Sequence, residues 1–211
     1  MSELRDVSAR SQGRAVRAFF AWELPAGAKA ALGALAAGLR ARPDGDAVRW
    51  VRSESYHVTL RFLGNVPTAL VPELVAAVRA RLEGAEAFEV ALGAPRAFPS
   101  ARRPRVVVVA LTPEAPLAAL VERIEAGVVA AGLPAEPRGF RAHLTLGRVR
   151  SRRLPPLDAA ACEAGALAVG EVVLFQSDLG RDGSRYTPLA RLPLVPAAAA
   201  ADPLPLPTSI Q

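Results

Sequence analysis

The stretches YHVTLRFLG, residues 56–64, and RGFRAHLTLGRVR, residues 138–150, decide how this chain is read. Each is apolar enough for a β-strand, and each carries the same four-residue pattern: His57-Val58-Thr59-Leu60 in the first, His143-Leu144-Thr145-Leu146 in the second. Residues two apart on a strand share a face, so each histidine points the same way as its threonine while Val58, Leu60, Leu144 and Leu146 enter a core. These are the only two histidines of the chain. Both sitting in one pattern argues for a paired site over two unrelated surface residues.

Working outward from the first stretch, VRAFFAWEL (16–24) reads as a preceding strand, and Pro25 introduces a helix over 26–41 with Leu32, Leu35 and Leu39 at helical spacing. After Gly64 closes the His57 strand, residues 68–82 carry Leu70, Leu74, Val78 and Leu82 at periods of four, a second helix. A strand over 87–94 and an arginine-rich loop, RAFPSARRP, follow. The second half repeats this order: RVVVVAL (105–111) as a strand buried on both faces, a helix from LAALVERIEAGVVAAGL, then the His143 strand over 138–150. A short fourth helix is expected in PLDAAACEA, and final strands over 166–176 and 185–192 flank the turn-rich LGRDGS. The two His-x-Thr strands are separated by close to half of this length, which implies a duplicated α+β unit with antiparallel or mixed sheets. Residues 1–14 read as a flexible leader, 15–195 as a single bilobal domain, and the proline-rich 196–211 as a disordered tail.

Composition narrows the chemistry. The formal charge is +6, from 26 Lys+Arg against 20 Asp+Glu, and nearly every base is arginine, whose planar fork matches phosphate. Cys162 is the only cysteine, so an intrachain disulfide and a thiolate metal cluster are both excluded. There is no H-E-x-x-H spacing, no nucleophile elbow and no P-loop sequence. With no signal-like apolar core and no run long enough to span a bilayer, a soluble cytoplasmic protein with no membrane association is expected.

Two histidines on opposite walls of a cleft suit a cyclic phosphodiester. Its hydrolysis needs a base for the incoming water and an acid for the departing ribose oxygen on the far side of phosphorus. Histidine alone can be neutral in one copy and charged in the other near pH 7. The threonine hydroxyls and nearby arginines can hold the non-bridging oxygens. By strand parity Arg61 shares the face of His57 and Thr59, and either reaches phosphate or RNA backbone or is solvated. Arg102, Arg103 and Arg105 in the central loop are candidates for steering RNA by charge. Phe98 and Trp50 are aromatic candidates for stacking on a terminal base, with packing as their ordinary role.

Beyond these residues, the chain resembles the bacterial and archaeal RNA 2',3'-cyclic phosphodiesterases, once described as 2'-5' RNA ligases, of the 2H phosphoesterase superfamily. The matching stretches are RAFFAWELP, WVRSESYHVTLRFLG, AFPSARRPRVVVVAL, GFRAHLTLGRVR and SDLGRDGSRYTPLARLPL, covering about residues 14–195. The resemblance implies a bilobal duplicated α+β fold with two mainly antiparallel sheets, helices outside and a central cleft. It implies metal-independent opening of RNA 2',3'-cyclic phosphate ends, tRNA fragments among them, to 2'-phosphate ends, with no cofactor and a monomeric enzyme. On it, His57 is the proton donor, His143 the acceptor, and Thr59 and Thr145 bind phosphate. Arg148 occupies the position of the family's arginine after the second motif, although simple alternation sets it opposite His143 unless the strand bulges. Ser177, Gly180 and Tyr186 match a closing pattern that fixes the last hairpin. Two departures stand out: Ala142 replaces the proline common before the second histidine, and Tyr56 replaces an aliphatic residue at a strand position expected to be half-exposed. RNA end-joining by the same site in reverse, a small cyclic-nucleotide phosphodiesterase and a non-catalytic RNA-binding module are the alternatives.

Overall fold

In the computed structural model, which describes residues 14–151, 153–158, 162, 164–180 and 183–197, two antiparallel sheets divide the strands. The strands are β1 (Ala15–Glu23), β2 (Val48–Trp50), β3 (His57–Pro67), β4 (Phe88–Phe98), β5 (Val106–Thr112), β6 (His143–Val149), β7 (Leu167–Val169), β8 (Glu171–Gly180) and β9 (Gly183–Pro193). The α-helices are α1 (Ala26–Arg40), α2 (Val71–Leu82) and α3 (Glu114–Ala130). One sheet has the order β3-β1-β8-β9 and the other β2-β6-β5-β4-β7. The unit β1-α1-β3 thus recurs as β5-α3-β6. After each His-x-Thr strand the chain crosses over: β4 joins the sheet of β5, and β8 joins the sheet of β1. This exchange of strands makes the lobes interdependent.

Helical periodicity produces the expected faces. Ala28, Leu32, Ala36 and Leu39 of α1, Leu74, Val78 and Leu82 of α2, and Leu117, Leu120, Ile124 and Val128 of α3 are buried. Helices α2 and α3 cross so closely at Gly127 that a Cβ there would lie 2.6 Å from the Cα of Val78. One apolar core, including Phe20, Trp22, Val58, Leu60, Val107, Val109, Leu144 and Leu146, runs through both lobes. The opposite face of the first sheet bears a smaller cluster of Phe19, Ala21, Val173 and Phe175, with Tyr186 against it.

Several element boundaries differ from the sequence reading for local reasons. Strand β3 passes Gly64, whose φ of 71° is a left-handed conformation within the strand, and ends at Pro67. β4 continues through a buried, irregularly paired Pro95 to Phe98, so the loop is shorter than expected. β6 begins only at His143, because the Ala142 N–H is taken by a carboxylate of α3 and not by a neighbouring strand. The expected strand over 166–176 splits into β7 and β8 around Gly170, whose carbonyl accepts the Leu194 N–H at 2.8 Å. The described residues within 156–164 (Pro156, Leu157, Asp158, Cys162 and Ala164) are not helical, and the remainder of the expected fourth helix lies outside the described residues, as do 1–13 of the leader and 198–211 of the tail. Among the described residues no helix is long and apolar enough to cross a membrane.

Candidate active site

Strands β3 and β6 run against one another between the sheets, their Cα atoms approaching within 8 Å. Each starts at its histidine. In β3 the paired register with β1 jumps from Ala21–Thr59 to Phe20–Arg61, and in β6 the register with β5 jumps from Val108–Thr145 to Val107–Gly147. Both jumps pass over the fourth motif residue, Leu60 or Leu146, and are β-bulges at equivalent places in the two lobes. A bulge resets alternation. The residue two past the leucine, Phe62 in one lobe and Arg148 in the other, therefore returns to the histidine face, while Arg61 and Gly147 turn inward.

This corrects the expectation for Arg61. Its side chain is only 7% exposed and leaves the histidine face. It donates through Nε to Glu125 of α3, through Nη1 to the Phe62 carbonyl and through Nη2 to the Pro134 carbonyl at 2.6 Å, with a Glu136 carboxylate oxygen 3.8 Å from Nη1. Glu125 also accepts the Glu136 N–H at 2.7 Å. Buried and not solvated, Arg61 ties β3 of one lobe to α3 and its following loop in the other.

The histidines share one orientation device. His57 Nδ1 lies 2.8 Å from the Ser55 carbonyl, and His143 Nδ1 lies 2.8 Å from the Arg141 carbonyl, in each case two residues back. A carbonyl only accepts, so each Nδ1 carries the hydrogen, which leaves Nε2 as the ring nitrogen available to a second partner. In the first lobe His57 Nε2 is 3.1 Å from Thr59 Oγ1, whose hydroxyl donates to it. The His57 ring lies on Phe19 (centroids 4.9 Å) and meets Tyr186 edge-on (5.0 Å). In the second lobe His143 is stacked on Phe98 at 5.3 Å and 10°, and the Arg141 guanidinium sits 5.9 Å above the same phenyl ring. Phe98, offered by the sequence as a base-stacking residue, is thus the support of His143.

The environments are not equivalent. Burial among Phe19 and Tyr186 pushes the His57 pKa below the ordinary histidine value, opposed by its bond to the Ser55 carbonyl; the Lys29 charge lowers it further and Glu23, its cross-strand partner, raises it. Tyr56, expected half-exposed, is 2% exposed, and burial raises its hydroxyl to about 12. It anchors the residue before His57 in the core. Ala142 is likewise buried, and its N–H donates to Glu114 Oε1 at 2.9 Å. Where a proline would have imposed extended geometry, a hydrogen bond to the first residue of α3 fixes the approach to His143.

Thr59 and Thr145 share the face of their histidines and are half-buried. Arg148 is exposed on that face, while Arg102, Arg103 and Arg105 are exposed at the sheet's end; among the described residues none of the four has a carboxylate within ion-pair reach. Phe62, which the sequence reading passed over, is 50% exposed with its ring 5.8 Å from Phe19. Only the bulge places it there, and strand alternation gives no sign of it. Trp50 is half-buried, with Nε1 donating to the Gly45 carbonyl at 2.8 Å. Ser177 and Tyr186 pair across the β8–β9 hairpin, which Gly180 and Gly183 close. Among the described residues no group of three or more His, Cys, Asp or Glu is placed to hold a metal ion.

The model of the family described as LigT-like phosphoesterase matches residues 23–108 and again 109–186, one match to each half of the pseudo-symmetric fold. The chain belongs to the LigT-like phosphoesterase family. This LigT-like phosphoesterase is 32% identical over 179 residues to the RNA 2',3'-cyclic phosphodiesterase of Methanothermobacter thermautotrophicus, covering 82% of this chain and 95% of the relative. It is 32% identical over 152 residues to the enzyme of that name from Aeropyrum pernix, covering 67% and 84%. Among solved structures, E. coli LigT complexed with 3'-AMP superposes with a TM-score of 0.72 at 27% identity, covering 86% of this chain and 99% of that one. Usb1 of Kluyveromyces marxianus, at 12% identity and a TM-score of 0.52 with 86% and 99% covered, shares the fold. Phosphoester hydrolysis is the general activity of such a protein.

Proposed function

We propose that this phosphoesterase opens RNA 2',3'-cyclic phosphate ends to 2'-phosphate ends, with His57 and His143 as its acid and base. The observation that carries the reading is the matched pair of imidazoles on strands that approach within 8 Å, each held by an Nδ1–H bond to the carbonyl two residues back with Nε2 left for a second partner. Naming of the archaeal relatives as RNA 2',3'-cyclic phosphodiesterases supports the substrate class.

His143 Nε2 takes a proton from water as its oxygen bonds to phosphorus, the bond from phosphorus to O3' breaks, and His57 Nε2–H gives its proton to O3'. Thr59 and Thr145 donate hydrogen bonds to the non-bridging oxygens, where charge accumulates. Burial favours neutral His57 in the free protein, and the anionic phosphate beside it restores the cationic form the donor role requires. Exposed Phe62 offers the terminal base an aromatic face. Arg148 supplies positive charge on the same face. Neither step draws on a metal or a cofactor, and the reaction is read as that of a monomer in the cytoplasm.

A second reading, hydrolysis of a small cyclic nucleotide, is favoured by the E. coli LigT complexes with 3'-AMP and ATP, which hold single nucleotides. The deciding experiment is hydrolysis in EDTA of a short RNA bearing a 2',3'-cyclic phosphate alongside 2',3'-cyclic AMP, with the phosphate position read on each product. A 2'-phosphate formed faster from the RNA supports the proposal. A 3'-phosphate product, or turnover only with added metal, contradicts it.

A further inference from the structure

We infer that the free edge of β2 holds a second nucleotide-binding subsite that takes the RNA strand on the 5' side of the reacting end; the inference rests on the RNA reading above. A depression of about 350 Å³ opens at this edge beneath the C-terminal turn of α1, lined by Arg40, Asp46, Val48, Arg49, Trp50 and Arg150. Among the described residues none of these three arginines is in an ion pair, although the nearby Arg42 and Arg153 reach Asp158 and Asp44. Three permanent positive charges therefore face one concavity against the single carboxylate of Asp46.

The walls are fixed. Gly45 packs so tightly under α1 that a Cβ would lie 2.1 Å from the Arg40 carbonyl oxygen, and the Gly45 carbonyl in turn accepts the Trp50 indole N–H. An aromatic plane is thereby pinned beside unpaired guanidinium groups, the combination that binds single-stranded nucleic acid by stacking and charge. The volume suits one nucleotide.

Register brings the histidine face to the rim of this depression at Arg49, while Val48 and Trp50 line it from the other face of β2. Arg49 is directly opposite Arg148 in the β2–β6 pair, and partners in register share a face. Arg148 lies on the His143 face because of the bulge, so a strand leaving His143 meets Thr145, then Arg148 and Arg49, over about 15 Å of β6. Two arginines directly opposed on neighbouring strands repel, and no acid relieves them among the described residues. Protecting a sheet edge from pairing would explain the charges. It would not explain the concavity or the pinned indole.

The test compares wild type with Arg49→Ala/Arg150→Ala and, as a control for charge alone, Arg79→Ala/Arg81→Ala on the last turn of α2. The probe is a 5'-fluorescein decaribonucleotide with a 3'-phosphate, followed by anisotropy across a salt series, and turnover of 2',3'-cyclic AMP is measured in parallel. The subsite predicts about tenfold weaker RNA binding in the Arg49/Arg150 variant. It also predicts a log–log salt slope shallower by about 1.4, for two lost phosphate contacts at ~0.7 each, with cyclic AMP turnover unchanged. RNA should quench the fluorescence of Trp50 but not of Trp22, which is 1% exposed, so Trp50→Phe abolishes the quench. Equal losses in both double variants, or none in either, would overturn the subsite. Failure of cyclic AMP turnover with RNA binding still dependent on Arg49 and Arg150 would instead remove the catalytic reading and leave the subsite standing.

Discussion

Replacing Arg61 by methionine separates structure from substrate binding in one experiment. The guanidinium is 7% exposed and serves two carboxylates and two carbonyls, so its removal leaves Glu125 and Glu136 facing each other and the Pro134 and Phe62 carbonyls without their donor. Stripping one partner from a fully buried ion pair costs about 3–5 kcal/mol. Here Glu125 and Glu136 retain 25% and 23% exposure, and water recovers part of that loss, which brings the expected cost to about 2–3 kcal/mol. At a typical urea dependence of about 2 kcal/mol/M, the unfolding midpoint should fall by roughly 1 M. Because Arg61 turns away from the histidine face, KM for a cyclic-phosphate RNA should change less than about twofold at temperatures where the variant is folded. A midpoint unchanged within about 0.2 M together with a tenfold rise in KM would refute this placement and return Arg61 to the substrate.

Three further outcomes follow from the site. His57 has a folded pKa below its unfolded value, so the unfolded chain binds the extra proton first: stability is complete above about pH 6.5 and is lost as pH falls through the folded value, and His57→Gln should flatten that part of the pH–stability curve measured by urea titration. With only two histidines, their Cε1–H signals are separable by NMR; the His57 midpoint should lie below 6.5 in the free protein and rise on saturation with inorganic phosphate, and a midpoint that stays depressed would reverse the donor and acceptor roles. Ala142→Pro removes the N–H that Glu114 accepts and should cost about 1–3 kcal/mol in thermal or urea unfolding, whereas a neutral or stabilising outcome would show that this bond does not order the segment before His143.

Most of the strands, the three helices and the pattern of the two histidines were legible because each rests on periodicity or on residue scarcity. Leu32, Leu74, Ile124 and their neighbours repeat at helical spacing, and two histidines in one pattern need no tertiary information to be paired. What escaped was governed by long-range contacts. Leu60 and Leu146 look like ordinary inward strand residues, and nothing in HVTLRFLG marks the bulge that turns Arg61 into the core and Phe62 out. Gly147 is a faint trace of its counterpart, since a Cβ there would lie 2.4 Å from Val48 Cγ1. The burial of Tyr56 and the anchoring of Ala142 depend on residues remote in sequence. Gly170 hides the division of one apolar run between two sheets, a choice settled by the Leu194 N–H that its carbonyl receives.

The central claim is that His57 and His143 act as one unit, and a kinetic cycle of His57→Ala, His143→Ala and the double variant on a cyclic-phosphate RNA in EDTA tests it most directly. Groups that serve one transition state are strongly non-additive, so each single variant should lose about 10²–10⁴ in kcat and the double variant little more than the worse single. Full activity in either single variant, or losses that multiply in the double, would contradict the paired mechanism.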